Sequence, residues 1–155
     1  VKVTVDTCIN GKFIVTLHLQ SSLIITKTVG MNNFINVSNK GIQVRVSVFV
    51  YLDADHPDGN MYIAYCPSLN LVGYGNGLEN AKKDFEWIME DYLEDMIKQG
   101  TLEKDLVGHG WKATKKSFSE PVVSDMVSRN QQLRDVVNKG GYQNINIDIT
   151  CPAMA

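Results

Sequence analysis

The sequence predicts an α+β fold: a small antiparallel sheet with one long helix packed across it, followed by a C-terminal helix and strand. Three observations lead there. "IQVRVSVFVYLD" alternates with the two-residue period of a strand. Short turns separate the runs that follow, and short turns join antiparallel neighbours. From Leu78 to Lys98 the apolar residues recur at helical spacing instead.

The elements follow in order. "VKVTVDTCI" and "KFIVTLHL" alternate on either side of Asn10-Gly11, a strong hairpin signal. Residues 1–29 are either a real hairpin or an extension the main domain does not need. The chain does not open with Met, and Met31 offers a second start. The polar stretch "NNFINVSNKG" reads as a linker, so residues 1–41 form an N-terminal extension or hairpin plus linker. The core domain covers 42–112. Its first strand puts Ile42, Val44, Val46, Val48 and Val50 on one face, with Gln43, Arg45, Ser47 and Phe49 on the other. "DADHPDGN" turns the chain, "MYIAYC" returns it, and "LNLVGYG" gives a third strand after Pro67. On the helix, Leu78, Ala81, Phe85, Ile88, Met89, Tyr92 and Met96 make one stripe, with Leu93 at its margin. Gly100 stops that helix, and Thr101 caps a shorter one, "LEKDLV", ended by Gly108 and Gly110.

Residues 113–155 form a strand–helix–strand extension. "WKATKKSF" at its border is the fourth strand of the meander. Ser119-Glu120-Pro121 opens a helical stretch whose apolar set is Val122, Val123, Met126, Val127, Leu133, Val136 and Val137. After Gly140-Gly141, "QNINIDIT" places Ile145, Ile147 and Ile149 on one face. That last strand joins either its own sheet or the edge of a second subunit.

At 155 residues and 44% hydrophobic content, the chain has material for one core. A formal net charge of -2 argues against a constitutive nucleic-acid binder, which needs a basic stripe. Cys8, Cys66 and Cys151 stand far apart, with no spacing to His18, His56 or His109 that suits zinc. An odd cysteine set suits a reducing compartment. No apolar run reaches the roughly 20 residues of a membrane span. These features describe a cytoplasmic domain with no metal, no cofactor and no membrane anchor.

"GYGNG" resembles a phosphate loop in outline, but Leu78 stands where a dinucleotide fingerprint needs its last glycine. It reads as a sharp turn into the helix. "DADHPDG" gathers Asp53, Asp55 and Asp58, yet Pro57 and Ala64 occupy positions where a calcium loop needs oxygen ligands. Ser68 sits in no nucleophile elbow, and His56 and His109 fall on loops. Nothing in the pattern reads as an enzyme. One residue breaks the helix pattern. Trp87 points away from the apolar stripe, among Lys83, Asp84, Glu90, Asp91 and Glu94. A tryptophan there takes cover either from the C-terminal segment or from a partner.

"DGNMYIAYCPSLNLVGYGNGLENAKKDFEWIMEDYL" resembles the HicB antitoxin domain. Cys66-Pro67-Ser68-Leu69 matches the C/S-P-x-L motif, and Gly75 with Leu78 to Ala81 matches the strand end and helix start. Gly77 replaces the usual capping threonine and Asn80 the usual glutamate, which weakens the helix cap. "GTLEKDLVGHGW" and "ITCP" extend the resemblance to residues 42–152. The resemblance implies a degenerate ribonuclease-H-like domain without catalytic activity. It also implies a toxin–antitoxin role, in which the domain inhibits a small basic HicA-like mRNA interferase. Many members carry an added DNA-binding module. No strand–helix–helix order follows Trp111 here, so operator binding does not carry over. The expected protein-binding surface is Trp87 with Asp84, Glu90, Asp91 and Glu94, on a molecule expected to be a homodimer. The alternative is an orphan ribonuclease-H-like scaffold, or an RNA-binding protein without a toxin partner.

Overall fold

A computed structural model describes residues 2–9, 12–18, 24–30, 32–115 and 117–153. The chain divides into two compact units, Val1–Asn32 and Asn33–Ala155. In the first, β1 (Lys2–Ile9) pairs antiparallel with β2 (Lys12–His18), and β2 with β3 (Ile24–Gly30). β1 and β2 therefore form a hairpin, and β3 adds a third strand to it. The Asn10-Gly11 dipeptide and Met31 lie outside the described residues.

The second unit is built on β5 (Gly41–Asp53), whose alternation gives it two buried faces. β4 (Phe34–Ser38) pairs with residues 41–45 of β5, and β6 (Met61–Cys66) with residues 49–53. Along the other edge, β10 (Gln143–Pro152) pairs with residues 41–50 in unbroken antiparallel register. β7 (Leu71–Asn76) adds to β6, while β9 (Ser117–Ser119) adds to β4 and β8 (Lys112–Ala113) to β9. Among the described residues this makes a seven-stranded antiparallel sheet, so the α+β class with an antiparallel sheet stands.

Helices cover both faces. Val44, Val46, Val48 and Val50 pack with Ala81, Phe85, Met89 and Leu93 of α1 (Leu78–Gln99) and Leu106 of α2 (Leu102–Gly108). On the reverse face, Phe49 and Tyr65 lie under Met126 of α3 (Val123–Arg129) and Leu133 of α4 (Gln131–Lys139). Gly100 closes α1 in the left-handed region, at φ 65°.

Several expectations change. The stretch read as a linker over 31–41 contains β4, and fully buried Ile35 fixes it between two partners. "WKATKKSF" is a hairpin of two short strands, closed by the Thr114 N–H bonded to the Ser117 carbonyl at 2.7 Å. The C-terminal helical stretch breaks at Asn130, whose Oδ1 accepts the Leu133 N–H at 3.0 Å and caps α4. β9, α3 and α4 therefore do run strand–helix–helix after Trp111, against the expectation of one helical stretch. Val122, expected among the apolar set, is exposed. On α1 the buried line is Ala81–Phe85–Met89–Leu93, so Leu93 is central and Ile88 lies to the side. Thr101 holds helical dihedrals (φ -111°, ψ 0°), and its hydroxyl faces Met96 Sδ instead of a helix N–H.

Candidate functional site

The phase of α1 decides which side chains it offers to solvent. Ideal Cβ atoms on Gly73 and Gly75 would stand 2.5 Å from Phe85 N and 2.2 Å from Ala81 N. Both glycines are thus strand residues that let α1 lie directly on the backbone of β7. The expected turn at GYGNG shrinks to Gly77, at φ 104°. With that face pinned, the opposite face must meet water, and Trp87 is 66% exposed on it.

The five expected surface residues separate into two groups. Trp87, Glu90, Asp91 and Glu94 follow one another at helical i, i+3, i+4 and i+7 spacing, and the three carboxylates are exposed. Glu94 pairs with Lys98. Asp84 does other work. Its Oδ2 accepts the Tyr74 N–H at 2.8 Å, so this carboxylate covers a backbone donor of the outer strand β7. Glu90 and Glu94 reach a groove of about 470 Å³ between the C-terminal half of α1 and the neighbouring strands. Leu93, Ile97, Ile42, Val37 and Pro152 give it apolar walls, with Cys151 among them. Burial, with the Glu90 charge second, pushes the Cys151 thiol up. The site is an exposed aromatic at the head of an acidic row that runs to an apolar groove.

A second cluster went unread in the sequence. β4 releases β5 at Arg45 and β6 takes it up at Phe49, leaving Ser47 between them. The Glu120 carboxylate fills that seam. It accepts the Ser47 N–H at 3.1 and 3.2 Å, Asn33 Nδ2 at 2.6 Å and the Ser68 hydroxyl at 2.5 Å. Ser68 also meets Cys66 Sγ at 3.3 Å, and its carbonyl accepts Trp111 Nε1 at 2.9 Å. The Cys-Pro-Ser-Leu turn is therefore a buried junction. Burial, with Glu120 second, pushes the Cys66 thiol up to about 12, far from a nucleophile's range. Local pattern held no signal for this cluster, because its members lie 33, 47, 68 and 120 residues along the chain.

The acidic turn over 53–60 uses its groups within the turn and in an ion pair of Asp55 with Lys139 at 3.8 Å. Asp53 Oδ1 accepts the Asp55 N–H at 3.2 Å, and His56 Nδ1 accepts the Asp58 N–H at 3.3 Å. Among the described residues, no three His, Cys, Asp or Glu side chains converge as metal ligands, and no helix is long and apolar enough to cross a membrane. Compared with family models, curated proteins and solved structures, the chain matches none of them.

Proposed function

We propose that this chain is a HicB-like, non-catalytic binding module that inhibits a small basic HicA-like mRNA interferase. In this reading the sheet and α1 are a degenerate ribonuclease-H-like core, and the outer face of α1 is the docking surface. The observation that carries the proposal is Trp87, 66% exposed at the head of the Glu90, Asp91 and Glu94 row. Tryptophan is the commonest anchor of protein interfaces, and a surrounding acidic row steers a basic partner and speeds encounter. The order of strands, Cys-Pro-Ser-Leu turn, glycine-bearing strand and long helix supports the family reading, since each motif sits on the element it needs. Buried Cys66 and Ser68 support the non-catalytic reading, because neither is free to meet a substrate.

The test is binding of the purified chain to a small basic HicA-like protein, taken from the neighbouring reading frame where that frame encodes one. Trp87→Ala should weaken that binding by about 2 kcal/mol or more while leaving the thermal midpoint in place. An unchanged affinity would remove α1 as the docking surface.

A further inference from the structure

The two long outer strands of the seven-stranded sheet are treated differently. β7 is blocked: α1 lies on its glycines, and Asp84 occupies the Tyr74 N–H. Within its own unit, and among the described residues, β10 has no such cover. Among the described residues it pairs with β5 alone, over ten residues without a bulge or an internal proline. An edge of that length exposes a row of backbone donors and acceptors, the feature proteins otherwise protect with charges, bulges or prolines.

The sequence of β10 points to what pairs there. Around Ile147 the strand reads Asn144, Ile145, Asn146, Ile147, Asp148, Ile149, Thr150. A two-fold axis at Ile147 would set Ile145 against Ile149, Asn146 against Asp148, and Asn144 against Thr150. Apolar side chains then meet apolar ones on one face, polar ones meet polar ones on the other, and no like charges oppose. Moving the axis one residue to Asp148 would oppose two carboxylates, which is unfavourable. The single charge on the strand is already held by Arg45, at 2.6 and 2.9 Å. We propose that the outer edge of β10 receives the β10 of a second copy, antiparallel and centred on Ile147, so that two sheets become one. Self-complementarity about a two-fold is what an isologous dimer requires. This pairing does not depend on the interferase reading.

The experiment is sedimentation velocity of the full chain over a concentration series, on the wild type and two double variants. The substituted positions lie six residues apart, roughly 20 Å along a strand, so their charges do not meet within one chain. Asn144 and Thr150 are both exposed, and circular dichroism checks that the variants fold. Asn144→Lys with Thr150→Lys opposes two pairs of lysines, and should raise the dimer dissociation constant at least about tenfold. Asn144→Lys with Thr150→Glu opposes each lysine to a glutamate, and should keep the dimer. A wild type that is monomeric across the series overturns the proposal, and would leave the edge to another segment of the chain or a foreign extended peptide. Equal association of the two double variants overturns it as well.

Discussion

Glu120 places a carboxylate inside the sheet, where β4 and β6 leave the Ser47 N–H without a strand partner. Burial pushes its carboxyl above the ordinary range, and the donors Ser68, Asn33 and Ser47 pull it part of the way back. The folded chain thus holds this proton more tightly than the unfolded chain. Between the ordinary glutamate value and the raised one, stability contributed by this group falls as pH rises. Glu120→Gln should flatten that slope, which urea unfolding at a series of mildly acidic pH values would reveal. Glu120→Ala is a harsher change, because it takes the carboxylate acceptor from the buried Ser47 N–H and Ser68 hydroxyl. It should cost about 2 kcal/mol or more at neutral pH. A loss under about 0.5 kcal/mol would mean the seam is not held by Glu120.

At the scale of elements, the contact of α1 with β7 sets everything the helix presents. Gly73→Ala would drive a methyl into the Phe85 backbone, which has no freedom to move aside within the helix. A loss of about 1–3 kcal/mol is expected in chemical denaturation. Gly108, at the end of α2 with open space around it, is the control. Its replacement by Ala should be neutral or stabilising by up to about 1 kcal/mol. Equal effects at the two sites would contradict the close approach. β5 and α1 were legible in the sequence because their periods, two and 3.6, run uninterrupted for more than ten residues. β4, the β8–β9 hairpin and the break at Asn130 were not, because their strands are short and each also depends on a distant partner: β9 pairs with β4, and Asn130 Nδ2 donates to the Tyr65 hydroxyl at 2.6 Å. Ile35 and Val37 turn β4 to the core, and two alternating residues among asparagines are too short a pattern to read. The candidate site was partly legible. Helical spacing put Trp87 and its carboxylates on one face, but only the fold shows that Asp84 turns to β7 and that Glu90 and Glu94 reach a groove.

On the scale of the whole molecule, the charge is nearly balanced at -2, yet acidic residues crowd the solvent face of α1. The field that a partner meets is therefore local, and its effect on association should weaken as salt screens it. The unit from Asn33 to Ala155 has helices on both sheet faces, leaving the α1 surface and the β10 edge as its two proposed places for another chain. The most direct measurement is a titration of a small basic HicA-like ribonuclease, the partner class proposed above, with the purified full chain, following cleavage of an RNA substrate. The account predicts that cleavage falls to background near equimolar chain, and that the chain alone leaves the RNA intact. Undiminished cleavage in the presence of excess chain would contradict it.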